Sequence, residues 1–264
     1  MRNRISTTFD KLRREKRCGL VAYVTCGDPD VETTIDVILA LEGAGADFIE
    51  LGVPFSDPIA DGPVIQAASF RALQRGTTMA DVLAIAKSIR TRSEIPLVLF
   101  SYLNPILQFG FEKFAQAAAE SGCDGVLVTD LPPEFSKDLR SAMKRSHLRT
   151  VFLLSPTSSG DRIKLVDKMS DGFVYYVSTT GVTGARKDLD PALIGRLSEV
   201  RSQLTTPLAV GFGISTHEHY AVLSDYCDAV VVGSAIVKAV GDGDRNGAAE
   251  RAADVVRGIV GPSG

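Results

Sequence analysis

The sequence predicts an α/β protein: a (β/α)8 TIM barrel with an extra N-terminal helix, forming a single domain over residues 1–264. Three observations predict it. Eight short apolar runs recur along the 264 residues, each followed by a stretch with helical spacing. The runs are apolar throughout rather than strictly alternating, as parallel strands buried on both faces are. No composition break or low-complexity linker divides the chain, and one barrel commonly fills this length. An open doubly wound sheet would want G-x-G-x-x-G after its first strand, and TCGDPD stands there instead.

Taken in order, Ile5 to Arg17 places Ile5, Phe9 and Leu12 on one side and basic residues elsewhere, which predicts a helix that plugs the bottom of the barrel. Leu20–Val24 is the first strand and ends in the turn Gly27-Asp28-Pro29. Val31–Gly45 is helical. Strand Asp47–Gly52 leads through a proline-rich loop into helical stretches at Gly62–Arg75 and Met79–Ser93. Strand Pro96–Ser101 precedes helix Gly110–Ser121, and Asp124–Thr129 precedes Pro133–Ser146. Arg149–Ser155 precedes Asp161–Met169, and Gly172–Ser178 precedes a long loop and helix Pro191–Leu204. Pro207–Phe212 precedes Thr216–Tyr226. Asp228–Val232 precedes Gly233–Val240 and a closing helix near Ala248–Val260.

Composition excludes several classes. A net charge of −3, no tryptophan and no aromatics interleaved with Lys and Arg leave no nucleic-acid footprint. No apolar run approaches the roughly 20 residues of a membrane span, and the N-terminus lacks the apolar core of a signal peptide. A cytoplasmic location is expected. Cys18, Cys26, Cys123 and Cys227 are scattered without CxxC spacing, so reduced thiols are expected rather than a zinc site or a redox pair. His147, His217 and His219 lie on or beside helices, and 217/219 is not a helical i, i+4 metal pair. No metal site is expected.

In such a barrel the site lies at the carboxyl ends of the strands. Glu50, near the end of the second strand, is a carboxylate inside an otherwise apolar run, costly unless hydrogen-bonded or working. Asp61 follows on a loop stiffened by Pro54, Pro58 and Pro63. The pair reads as acid and base, although Asp61 could also cap the next helix. Asp57 reads equally as a loop-stabilising residue, and Asp28 and Asp130 as turn or strand-end residues. The remaining strand ends offer Tyr23, Phe100, Tyr102, Leu127, Leu153 and Tyr175, a mouth for a flat apolar ligand with a polar handle. That handle reads as phosphate. GFGIS after the seventh strand and GSAIVK opening a helix after the eighth supply backbone N–H groups and a helix N-terminus. Residues 178–190, long for a βα connection, read as a lid with Gly181 and Gly184 as hinges.

The chain resembles the tryptophan synthase alpha subunit family along essentially its whole length. The resemblance rests on YVTCGDPD, ELGVPFSDPIADGPVIQ, SYLNPI, GVLVTDLPPE, YVSTTGVTG, GFGIS and GSAIVK. It implies retro-aldol cleavage of indole-3-glycerol phosphate to indole and glyceraldehyde 3-phosphate. It also implies a beta-subunit partner in an alpha2beta2 assembly, which uses pyridoxal phosphate, while this chain needs no cofactor. A stand-alone lyase releasing free indole is the alternative. By resemblance, Glu50 and Asp61 are the catalytic acids. Gly184, Gly213, Gly233 and Ser234 meet the phosphate, and Tyr23, Phe100, Leu127, Tyr175 and Phe212 line the indole and glycerol pocket. Thr183 is the lid residue that meets Asp61. Thr179-Thr180 in the lid and the strand-five segment FLLSPTSS depart from some members. The loops after strands two and three, with Asp57 and Asn104–Ile106, are expected to face the partner.

Overall fold

In the computed structural model, which describes residues 3–177, 191–211 and 213–261, eight parallel strands close into a barrel. They are β1 (Gly19–Thr25), β2 (Phe48–Gly52), β3 (Leu97–Ser101), β4 (Gly125–Val128), β5 (Arg149–Leu154), β6 (Val174–Val177), β7 (Leu208–Gly211) and β8 (Ala229–Val232). Each pairs with its sequence neighbour, and β1 pairs with β8 through Gly19↔Ala229 to Ala22↔Val232.

The helices follow as α1 (Arg4–Glu15), α2 (Val31–Gly43), α3 (Pro63–Gln74), α4 (Met79–Arg90), α5 (Leu103–Phe109) and α6 (Phe111–Glu120). After these come α7 (Lys137–Arg145), α8 (Gly160–Met169), α9 (Pro191–Gln203), α10 (His217–Leu223), α11 (Ser234–Gly241) and α12 (Ala248–Val260). Their starts obey local chemistry. The Asp30 side chain accepts from Thr33 N at 2.7 Å to open α2, and Pro63, whose missing N–H would be unbonded anyway, opens α3. Thr78 and Asp81 form a reciprocal capping box on α4.

Two corrections concern the elements. The stretch 103–109, expected as loop, is α5; its Pro105 sits in the first turn, where proline is tolerated. The expected helix Pro133–Ser146 is a 3-10 turn, Pro133–Phe135, followed by α7.

Two concentric cores result. Outward-facing strand residues such as Ile49 and Leu51 pack under the helices. Inward-facing residues such as Val21, Phe48, Val98, Val151 and Phe173 fill the lumen. The apolar face of α1 closes the lumen from below, as the spacing predicts: Ile5, Phe9 and Leu12 are buried, and the Phe9 ring lies 4.6 Å from that of Phe48. Each such side chain contributes roughly 1.5–3 kcal/mol by leaving water.

Candidate active site

Glu50 is the third of five residues in β2, one layer deeper than the strand-end position expected for it. Its register partners are Tyr23 on β1 and Val98 on β3. Alternation along β2 sends Phe48 into the lumen, and Glu50 follows it two residues on. Glu50 has no solvent-accessible surface, and neither carboxylate oxygen has a hydrogen-bond partner. A bare carboxylate there would be very unfavourable. Burial accordingly pushes its pKa up to about 8, so the group is a neutral acid at pH 7. A ligand can meet it only when surrounding side chains make way.

Asp61 is held differently. Its loop leaves β2 through Val53, whose N–H donates to Phe100 O at 2.9 Å. Tyr102, following β3, donates its hydroxyl to Asp61 Oδ2 at 3.1 Å and accepts from Ala60 N at 2.9 Å. The Tyr102 ring packs against Phe55 at 5.1 Å. Burial raises the Asp61 pKa to about 6, and the Tyr102 hydrogen bond opposes that rise. At neutral pH Asp61 is mostly ionised and Glu50 mostly protonated, a division of labour set by environment.

The phenols of Tyr23 and Tyr175 complete the arrangement. Burial, first, and then the charges of both carboxylates push their ionisation well above the ordinary range. Both acids therefore lie near the same two phenols. Tyr23 meets Phe100 edge-on at 5.1 Å. Two strand glycines make room for the phenols. A Cβ on Gly52 would lie 2.2 Å from the Tyr23 hydroxyl, and one on Gly211 would lie 2.6 Å from that of Tyr175. Gly211, expected as part of an anion loop, thus serves the tyrosine.

Among the other expected residues, Phe100 and Tyr175 are partly buried in the lumen wall, while Leu127 is fully buried in the inner core and presents no surface to the mouth. Gly213 has φ +65°, a backbone state that favours glycine. Gly233 is the N-cap of α11, with no side chain bonded to that helix's first N–H groups, and Ser234 is exposed beside it. Thr183, Gly184, the rest of 178–190, and Phe212 lie outside the described residues.

Asp28 is buried and paired twice with Arg71, at 2.8 and 2.6 Å, and Asp130 accepts from Leu103 N at the start of α5. Both fit structural roles. Asp57 is exposed and accepts from Ser56 Oγ. Ile106, expected on the partner face, is fully buried, whereas Asn104 is exposed. Among the described residues no group of three or more His, Cys, Asp or Glu side chains could hold a metal ion, and no helix is long and apolar enough to cross a membrane. Sequence reasoning placed Tyr102 at the barrel mouth but did not pair it with Asp61. Its contact with Asp61 spans 41 positions and two loops, with no local pattern to reveal it.

Comparison with known proteins shows the family and the fold. Residues 9–258 match the family model described as tryptophan synthase alpha chain. The tryptophan synthase alpha chain of Solibacter usitatus is 52% identical over 237 residues, covering 90% of this chain and 89% of the relative. The crystal structure of tryptophan synthase subunit alpha from Legionella pneumophila superposes with a TM-score of 0.89 at 36% identity, covering 98% of this chain and 99% of that one. A chain from the tryptophan synthase a2b2 complex of Pyrococcus furiosus, a study of mutual activation, gives a TM-score of 0.88 at 40% identity, covering 92% and 97%.

Proposed function

Because the chain belongs to the tryptophan synthase alpha chain family, we propose that it is a carbon–carbon lyase of tryptophan biosynthesis, cleaving indole-3-glycerol phosphate to indole and glyceraldehyde 3-phosphate. One observation carries the reading: Glu50 is sealed in an apolar lumen with neither carboxylate oxygen hydrogen-bonded, which holds its proton near pH 7, and it acts on the same two phenols, Tyr23 and Tyr175, as Asp61 does.

Cleavage needs a proton on indole C3, stabilisation of the charge that then develops at the ring N1–H, and removal of the proton from the glycerol C3′ hydroxyl as the aldehyde forms. Glu50 delivers the first proton and, as the resulting carboxylate, takes the last one back. The acid is restored within one turnover. Asp61 faces the ring N–H and stabilises the positive charge there. A group that both gives and takes a proton works best with a pKa near the working pH, and burial supplies that for Glu50. The indole ring is the electron sink, so the alpha chain uses no cofactor of its own; pyridoxal phosphate belongs to the beta subunit.

Tyr23, Phe100 and Tyr175 frame the indole, with Leu127 behind them in the core. Gly213 and the open N-terminus of α11 at Gly233 and Ser234 receive the phosphate, a natural anion site. Gly184, Phe212 and the lid residue Thr183 complete the pocket on this reading. The whole chain, 1–264, works as one barrel domain in the cytoplasm.

The partner is the beta subunit, in an alpha2beta2 assembly. Ile59, Leu107 and Phe135 stand 85%, 50% and 79% exposed on the segments following β2, β3 and β4. Apolar side chains this bare on three successive segments of one rim suit a docking face. The loop carrying Ile59 also carries Asp61, so docking would order a catalytic group. This favours the assembly over a stand-alone lyase.

The test is indole release by the purified chain from indole-3-glycerol phosphate, alone and with a beta subunit. Slow release alone and faster release in the complex are expected. Equal rates would remove the coupling, and absence of indole under both conditions would remove the lyase reading.

A further inference from the structure

Two of the four cysteines meet at the barrel floor. Cys18 and Cys227 are 209 positions apart in sequence, yet their Sγ atoms lie 3.9 Å from each other. All four cysteines are free thiols, as expected, although these two, far apart in sequence, are neighbours in space. The contact follows from barrel closure. Gly19 pairs with Ala229 across the β1–β8 seam, and Gly19 N donates to Asp228 O at 2.9 Å. The two cysteines precede these paired residues and both lie in the layer between barrel and helices. Helix α10 fixes them from outside: Tyr220 Oη donates to Cys18 O at 2.6 Å, and Cys227 Sγ donates to Leu223 O at 3.2 Å.

The pair is also reachable. A cleft of about 210 Å³ is walled by Cys18, Cys227, Ser224, Arg13, Lys16 and Arg17. Asp228 lines the same cleft among the basic side chains. The contact with Cys18, then burial, and the nearby Asp228 charge push the Cys227 thiol well above its ordinary range. The pair is therefore slow to oxidise rather than inert.

We infer that Cys18 and Cys227 form a reversible dithiol–disulfide site that locks the first strand of the barrel to the last when a small hydroperoxide reaches the floor cleft. The chemistry balances without further reactants. One thiolate attacks the O–O bond, giving a sulfenic acid and releasing the reduced alcohol or water. The second thiol attacks the sulfenic sulfur, forming the S–S bond and releasing water. Two thiols lose two electrons and two protons, and the peroxide takes them. The sulfurs must approach from 3.9 Å to about 2.05 Å to bond. In a reducing compartment the pair rests as thiols and closes only under oxidant. Glu50 and Asp61 lie at the other end of the barrel, so the lock stabilises the fold and leaves the chemistry alone.

The experiment treats the full chain with hydrogen peroxide and maps peptides without reduction. The expected product is two hydrogens lighter, has an 18–227 cross-linked peptide and reverts with dithiothreitol. A cross-link closing so long a loop is expected to raise the thermal midpoint by roughly 5–15 °C, with indole release within twofold of the reduced protein. Cys18→Ser and Cys227→Ser should each abolish both the mass change and the shift. Because the mapping uses the unmodified protein, a variant that folds poorly does not decide the result. A 26–123 cross-link, irreversible sulfinic acids, or no change under oxidant that modifies a free thiol peptide would each overturn the inference.

Discussion

The two ends of this barrel treat their carboxylates in opposite ways. At the floor, four aspartates precede the even strands, and each accepts from the backbone at the start of the preceding odd strand. Asp47 accepts from Leu20 N at 2.9 Å, Asp124 from Leu97 N at 2.9 Å, Asp171 from Thr150 N at 2.6 Å and Asp228 from Leu208 N at 2.7 Å. Each is also ion-paired, with Arg17, Arg90, Arg149 and Arg201 respectively. At the mouth, Glu50 has no partner and Asp61 has one neutral hydroxyl. The floor acids join neighbouring strands. The mouth acids are left short of partners, which keeps their protons available near neutral pH. Burial with few partners, rather than burial alone, is what shifts the ionisation of the mouth acids toward neutral pH.

The largest test of this contrast is Glu50→Gln. Losing general acid and base help should lower kcat/KM for indole release by ~10²–10⁴-fold or more, with substrate binding retained in a calorimetric titration. The same change should stabilise the fold. The folded pKa of Glu50 is about 8, above its ordinary value of about 4.5, so its favourable contribution is full below that value and is lost as pH rises through 8. Relative to the parent, the variant should gain on the order of 3–5 kcal/mol by pH 9 and little at pH 4, read by denaturant unfolding. A wild-type rate of cleavage in this variant would end the assignment.

Asp124→Ala is the converse experiment. It leaves Arg90, itself mostly buried, without its acid partner and Leu97 N without an acceptor. Breaking such a buried pair costs about 3–5 kcal/mol. Urea unfolding should show that loss, while kcat/KM per folded molecule stays within about twofold. A selective loss of kcat would mean that the floor is not purely structural.

The pH profile sharpens the comparison further. Cleavage needs Asp61 ionised and Glu50 protonated. The rate kcat/KM should rise as pH increases through about 6 and fall as it increases through about 8. In Glu50→Gln the residual activity should lose the alkaline limb and keep the acid one.

Much of this was legible from the chain because barrel strands and helices write local patterns. The strand runs were found within a few residues, and the closing helix Ala248–Val260 coincides with its expectation. Glu50 was conspicuous as a charge in an apolar run. What escaped depends on closure in three dimensions. The floor aspartates look like ordinary turn residues until the next strand lies beside them. Cys18 meets Cys227 only across the seam. Gly52 and Gly211 look like strand or loop glycines until Tyr23 and Tyr175 fill the space above them. Helix α5 was hidden because Pro105 reads as a breaker, although proline is harmless in a first turn.

The finest test concerns the single hydroxyl that separates Asp61 from Glu50 in degree of satisfaction. Tyr102→Phe keeps the ring against Phe55 and removes the donor to Asp61 and the acceptor of Ala60 N. At pH 7.5 we expect a three- to tenfold loss in kcat/KM, of the order of one hydrogen bond. The diagnostic is where the acid limb lies. The Tyr102 hydroxyl lowers the Asp61 pKa against burial, so without it that pKa rises and the acid limb moves above 6 toward neutrality. The alkaline limb, set by Glu50, stays in place. A purely structural role for Tyr102 would reduce stability and amplitude but leave both limbs where they are. That outcome would show that the loop backbone, not this hydroxyl, sets the charge on Asp61.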